Sequence, residues 1–146
     1  MILLPVVLPL FAAAVLMLLH ARHRAQRLAA LVAHAAYLVV AVLLHRAVLR
    51  DGPIAASLGG WPPPFGISFL ADALSSTMVL LTAVVALPIA VFSLALADGR
   101  WERQGYHPLV QAMLAGVSGA FLTTDLFNLF VWFEVTLISS FVLLTL

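Results

Sequence analysis

The chain has 146 residues, 64% of them hydrophobic and 9% charged, with a net charge of +1 and no cysteine. A soluble domain carries about 25% charged residues. With a mean hydropathy of +1.16, this composition excludes an independently soluble enzyme, a disordered chain and a secreted disulfide scaffold. Lysine is absent and there is no basic stripe, so nucleic acid is not expected as a partner. Without cysteine, no thiolate nucleophile or Cys-ligated iron–sulfur cluster can form. The histidines at 20, 23, 34, 45 and 107 are scattered, and no carboxylate flanks His20 and His23. No metal site and no bound cofactor are therefore expected.

Five apolar segments succeed one another at 2–19, 28–45, 69–97, 108–124 and 126–146. A hydrocarbon core about 30 Å thick needs about 20 helical residues to cross it. Lipid offers a backbone no hydrogen bonds, so segments within it must be helices. Their continuous apolar character, without alternation, argues against barrel strands. The expected fold class is all-α, a polytopic membrane protein with about five transmembrane helices in one membrane domain over 1–146.

The first segment has no positive charge before it, and Arg22, Arg24 and Arg27 come after it. That order favours an uncleaved first helix over a signal peptide. All seven Arg fall in loops on this reading: three between segments one and two, Arg46 and Arg50 in the next loop, Arg100 and Arg103 in the one after. Five against two makes the first and third loops cytoplasmic and places the N-terminus outside.

The loop over 46–68 contains GGWPPPFG at 59–66, where three prolines impose an extended backbone and Trp61 and Phe65 suit a membrane–water interface. A stiff surface loop is the preferred reading over a ligand site. Asp72, at the start of the third segment, is either a helix cap or a point of ion access. Pro88 is expected to kink the third helix. In the fourth, Ala112, Gly116, Ala120 and Thr124 recur every fourth residue, a ridge of small side chains that lets another helix come close.

The fifth segment reads DLFNLFVWFEVTLISSFVLLTL over 125–146. Glu134 lies nine residues beyond Asp125, about 13 Å deeper at 1.5 Å per residue. A charged side chain there costs at least ~2.5–3.5 kcal/mol. Its neighbours on the helical face, Phe127, Phe130, Val131, Leu137, Ile138 and Phe141, carry no charge. The preferred reading is a proton or ion relay; the alternative is an assembly contact with a partner helix. Desolvation favours the neutral acid and a nearby cation the ionised one, and these opposed effects can tune a proton carrier toward the working pH. His34 is the basic residue well inside a span, either a second relay group or a buried neutral histidine. His20 and His45 sit at span ends. Asp125 reads as a cap or vestibule residue, with Asn128 in reach at i+3.

Two blocks carry a specific resemblance. GAFLTTDLFNLFVWFEVTLISSFVLL (119–144) resembles the fifth-helix signature of the D-subunit family of Mrp-type multisubunit Na+/H+ antiporters, and GGWPPPFGISFLADALS (59–75) resembles that family's second-to-third-helix segment. The likeness extends over essentially the whole chain. The wider superfamily includes antiporter-like membrane subunits of respiratory complex I and of membrane-bound hydrogenases. The resemblance implies that Glu134 is the fifth-helix glutamate of a proton path, paired in the family with a lysine on a later broken helix. It implies about fourteen spans in a complete family member, of which this sequence looks like the N-terminal third, as from a truncated or split gene. Such a piece is not expected to transport ions alone. Thr124 departs from the family's usual glycine. Other membrane subunits of a hetero-oligomeric complex, H+, Na+ or another monovalent cation, and the lipid bilayer are the implied partners, in the cell membrane. The runner-up function is a proton-pumping membrane-arm component of a quinone- or hydrogen-linked oxidoreductase; a structural membrane fragment is the third.

Overall fold

The computed structural model describes residues 1–60, 66–96 and 99–146. The Trp61–Phe65 part of the proline loop lies outside the described residues, as do Ala97 and Asp98.

The apolar runs do become helices. α1 (Leu4–Leu18) takes a proline in its first turn, where the missing N–H is no loss. α2 (His23–Asp51) has 29 residues and stops at Gly52, whose φ of 88° favours glycine. At about 1.5 Å per residue it is longer than the hydrocarbon core. This corrects the placing of every Arg in a loop: Arg24, Arg27, Arg46 and Arg50 lie on α2, where long stems let the charge reach the interface while the backbone stays helical.

The third apolar segment becomes helical later than its hydropathy indicates, and the fold is not purely helical. Ser68–Ala71 form strand β2, antiparallel to β1 (Ile54–Ser57), with Ile54 opposite Ala71 and Ser57 opposite Ser68. Helix α3 (Ala73–Leu96) begins only after Asp72, and continues on both sides of Pro88. A short α4 (Gly99–Arg103) leads to α5 (Tyr106–Leu122), entered through Gly105 at a φ of 93°, and α6 (Leu126–Thr145) completes the bundle. Among the described residues, three helices are long and apolar enough to cross a membrane, over His23–Asp51, Ala73–Ala95 and Leu126–Thr145. α1 and α5 are shorter, at 15 and 17 residues.

Successive junctions meet at alternate ends. At one end, Arg27 near the start of α2 bonds Glu102 of α4. At the other, the hairpin meets the α5–α6 turn: Thr124 donates its backbone N–H and its hydroxyl to the Ser68 carbonyl, both at 3.1 Å, and Thr123 bridges Phe69. Between them, a core of Tyr37, Leu44, Phe69, Val79, Leu114 and Leu122 fills the bundle. Large side chains such as Phe11, Phe92 and Phe127 point outward, 66–79% exposed, an arrangement that lipid accommodates and water does not.

Candidate functional site

α6 packs on α5 through Trp132 against Gly119, Thr136 against Gly116 and Ser140 beside Met113, residues spaced along one face. Glu134 lies two positions beyond Trp132, about 200° around the helix at 3.6 residues per turn. It therefore projects from the side opposite α5. It is half-buried and makes no hydrogen bond or ion pair with the described residues. The side chains around it form an open apolar face: Phe130 is 61%, Ile138 60% and Phe141 64% exposed.

His34 lies elsewhere, on the buried stripe of α2. Its Nδ1 is 2.8 Å from the Ala30 carbonyl and 3.0 Å from the Gln111 amide of α5. One turn further along, the Tyr37 hydroxyl meets the Ser118 hydroxyl at 2.7 Å, and Ser118 donates onward to the Leu114 carbonyl. Gln26, on the same stripe, donates to the Leu16 carbonyl of α1 at 3.0 Å. The fold thus does not bring His34 and Glu134 to a common face.

Asp72 and Asp125 both stand at helix starts. The Asp72 carboxylate accepts the Ser75 N–H at 2.7 Å while the Asp72 N–H donates to the Ser75 hydroxyl at 2.9 Å. This reciprocal pair satisfies donors that the first turn leaves open, and the bonds to Ser75, backbone first, hold the carboxyl below the usual carboxylate range. Asp125 accepts from the Asn128 N–H at 2.6 Å, and the Asn128 side chain turns back to the Thr123 hydroxyl at 2.9 Å. Thr124, where the resemblance leads to glycine, has no positive φ; the turn accepts a β-branched residue and uses its hydroxyl to hold the hairpin.

On α5, Gly116 meets Thr136 so closely that an added Cβ would lie 2.5 Å from its hydroxyl, and Gly119, outside the four-residue period of small side chains, faces the Trp132 ring. Ala112 lines a cavity with Val142 of α6, and Ala120 is half-buried.

Sequence reasoning also missed Glu102. It is 1% exposed, with Arg27 Nε at 2.6 Å and His107 Nε2 at 3.3 Å on the same carboxylate oxygen, and His23 Nδ1 4.0 Å from the other. Burial pushes this carboxyl up, but the hydrogen bonds and charges of Arg27 and His107 outweigh it and hold it below the ordinary range. Arg27 and Glu102 are 75 residues apart in sequence, so no local pattern announces the pair.

A bundle of long apolar helices, three of them able to span a bilayer, with a carboxylate set inside the last, defines a multi-pass membrane protein. No family model matches the chain. It is 39% identical over 145 residues to the D subunit of the Na(+)/H(+) antiporter of Bacillus subtilis (strain 168), covering 99% of this chain and 29% of that one. It is 42% identical over 154 aligned residues to the D subunit of a probable K(+)/H(+) antiporter of Rhizobium meliloti (strain 1021), covering 99% and 28%. Among solved structures it resembles the Mrp complex from Dietzia sp., with a TM-score of 0.86, 33% identity, and coverage of 95% of this chain and 26% of that one. It also resembles the membrane-bound sulfane sulfur reductase, an archaeal respiratory membrane complex, with a TM-score of 0.84, 28% identity, and coverage of 94% and 28%. The chain is homologous over its whole length to part of the D subunit of these antiporters, and spans about three tenths of these relatives' length.

Proposed function

We propose that this chain forms part of a proton-translocating membrane subunit of a multisubunit monovalent cation/proton antiporter, with Glu134 as its proton-carrying group. Other membrane subunits, H+, and Na+ or another monovalent cation are its partners. It resides in the cell membrane with its N-terminus outside. The names and lengths of its relatives support the class. The observation that carries the role is the position of Glu134: of six acidic residues in the sequence, it alone lies well inside an apolar segment, and it has no partner among the described residues.

A carboxylate at that depth is stable only neutral, or ionised beside a group of opposite charge. The open face of α6 is where such a group must arrive. When it approaches, Glu134 gives up its proton; when it withdraws, Glu134 takes one from the connected side. One charge crossing the membrane is worth about 2.3 kcal/mol per 100 mV, enough to drive a cation the other way. Relatives named for sodium and for potassium match this segment about equally, so the likeness does not favour one cation over the other. A membrane-arm role in a respiratory complex draws on the likeness to the sulfane sulfur reductase, which is the lower of the two structural identities.

The test is Glu134→Gln in the full-length protein within its assembled complex. Cation-dependent proton exchange in everted vesicles is expected to fall by about tenfold or more, at unchanged complex abundance. Exchange at the unsubstituted rate overturns the assignment.

A further inference from the structure

The buried stripe of α2 changes character halfway along. Gln26, Ala30, His34 and Tyr37 occupy its first half, Ala41, Leu44 and Val48 its second, and each is at most 5% exposed. Facing residues of α5 keep the same order, with His107, Gln111 and Ser118 before Leu122. Polar side chains meet at His34–Gln111 and Tyr37–Ser118, with Leu114 buried between them, before Ala41, Leu44, Leu122 and Phe69 close the seam with apolar packing. Gln26 to Tyr37 is about 16 Å of helix, roughly half of a ~30 Å hydrocarbon core.

Along this seam, polar atoms are buried without hydrogen-bond partners. They are His23 Nδ1, Gln26 Oε1, His34 Nε2 and Gln111 Oε1, with Glu102 Oε2 at the end of the seam. Elsewhere among the described residues, only atoms of Asp125 and Trp132 share that state. The Ala30 carbonyl can only accept, so His34 Nδ1 carries its hydrogen; the Gln111 amide then turns its oxygen to Nδ1 and its NH2 stays open. Buried polar groups in native proteins are bonded, to water when protein supplies nothing. The cavity that Ala112 and Val142 line reaches the Gln26 end; it holds about 520 Å³, its walls are mostly apolar (Ala13, Met17, Leu109), and His20, Gln26, Arg103 and Gln104 supply its polar side. A water molecule occupies about 30 Å³ in the liquid.

We propose that the α2–α5 seam binds a file of water molecules, entering from this cavity and ending between His34 and Tyr37, with His34 Nε2 as the proton acceptor near the blind end. The Nδ1–H donates to the Ala30 carbonyl, which leaves the Nε2 lone pair toward the file. A hydronium delivered along the file breaks one O–H bond as the Nε2–H bond forms, giving water and imidazolium. Release reverses the step, and nothing else is consumed. Charged and titratable groups flank the file: His20 and Arg103 at its mouth, His23, Arg27 and Tyr37 of α2, Glu102 of α4 and His107 of α5. The dry plug beyond Tyr37 stops the proton from leaking through. The purpose of this well rests on the proton-translocating reading; its water does not.

Hydroxyl-radical footprinting of the complete complex tests the water, because radiolysis oxidises buried side chains that touch bound water. His34 and Tyr37 are expected to label at least about tenfold above Phe69, which is equally buried in the apolar core. Background labelling of both overturns the proposal. His34→Gln keeps hydrogen bonding and removes protonation. It is expected to retain Tyr37 labelling while lowering proton flux about tenfold, and unchanged flux in that variant overturns the proton-accepting role. Glu134→Gln, by contrast, is expected to lose flux with labelling unchanged, so failure of the antiporter reading registers separately.

Discussion

Glu102 and Glu134 are the two glutamates of this chain, and the fold gives them opposite surroundings. Glu102 is clamped between Arg27 and His107. Its carboxyl titrates below the ordinary value of 4.5. A carboxylate with a lowered value in the folded state contributes stability above its unfolded value and loses it as pH falls through the folded one. The thermal midpoint in detergent is therefore expected to drop on acidification below about pH 4.5, and Glu102→Gln to flatten that dependence. At neutral pH, Arg27→Ala leaves a buried charge short of a donor, at a cost of about 2 kcal/mol, to be read from the same thermal midpoint. Tyr37→Phe removes one buried bond and is expected to cost about 1 kcal/mol, because Ser118 keeps its bond to Leu114. Glu134 lacks any such partner among the described residues, as the proton-carrying role proposed for it requires.

At the scale of elements, α5 and α6 depend on glycine. The Trp132 ring lies where a Gly119 side chain would be, so Gly119→Val is expected to part the helices and cost about 1–3 kcal/mol. A lowered thermal midpoint with weaker tryptophan-ring shielding in fluorescence quenching would report it. The ridge at Ala112, Gly116 and Ala120 was legible as a four-residue period, but Gly119 falls outside that period and was not. The order of the helices was legible because lipid forces continuous apolar runs into helix; the length of α2 was not, since its 29 residues extend past the 28–45 segment at both ends. The start of α3 was not: Ser68–Ala71 is as apolar as the helix beyond it, and only its pairing with Ile54–Ser57, more than ten residues earlier, makes it a strand.

For the whole molecule, alternating junctions tie two ends together: Arg27 to Glu102 at one, Thr124 to Ser68 at the other. The absence of cysteine makes single introduced cysteines clean reporters of sidedness. Leu58→Cys in intact cells is expected to react with a membrane-impermeant maleimide and Arg24→Cys to be protected; the reverse pattern would invert the orientation. Sequence by itself determined that this chain belongs in a membrane and that its long elements are helices, and it singled out Glu134 as the acid within an apolar run, since each follows from the cost of placing polar groups in hydrocarbon. Tertiary structure alone decided which polar groups meet. It paired Arg27 with Glu102 and His34 with Gln111 across more than seventy residues, and turned Glu134 away from both, because such contacts are set by how helices pack and leave no periodic trace along the chain.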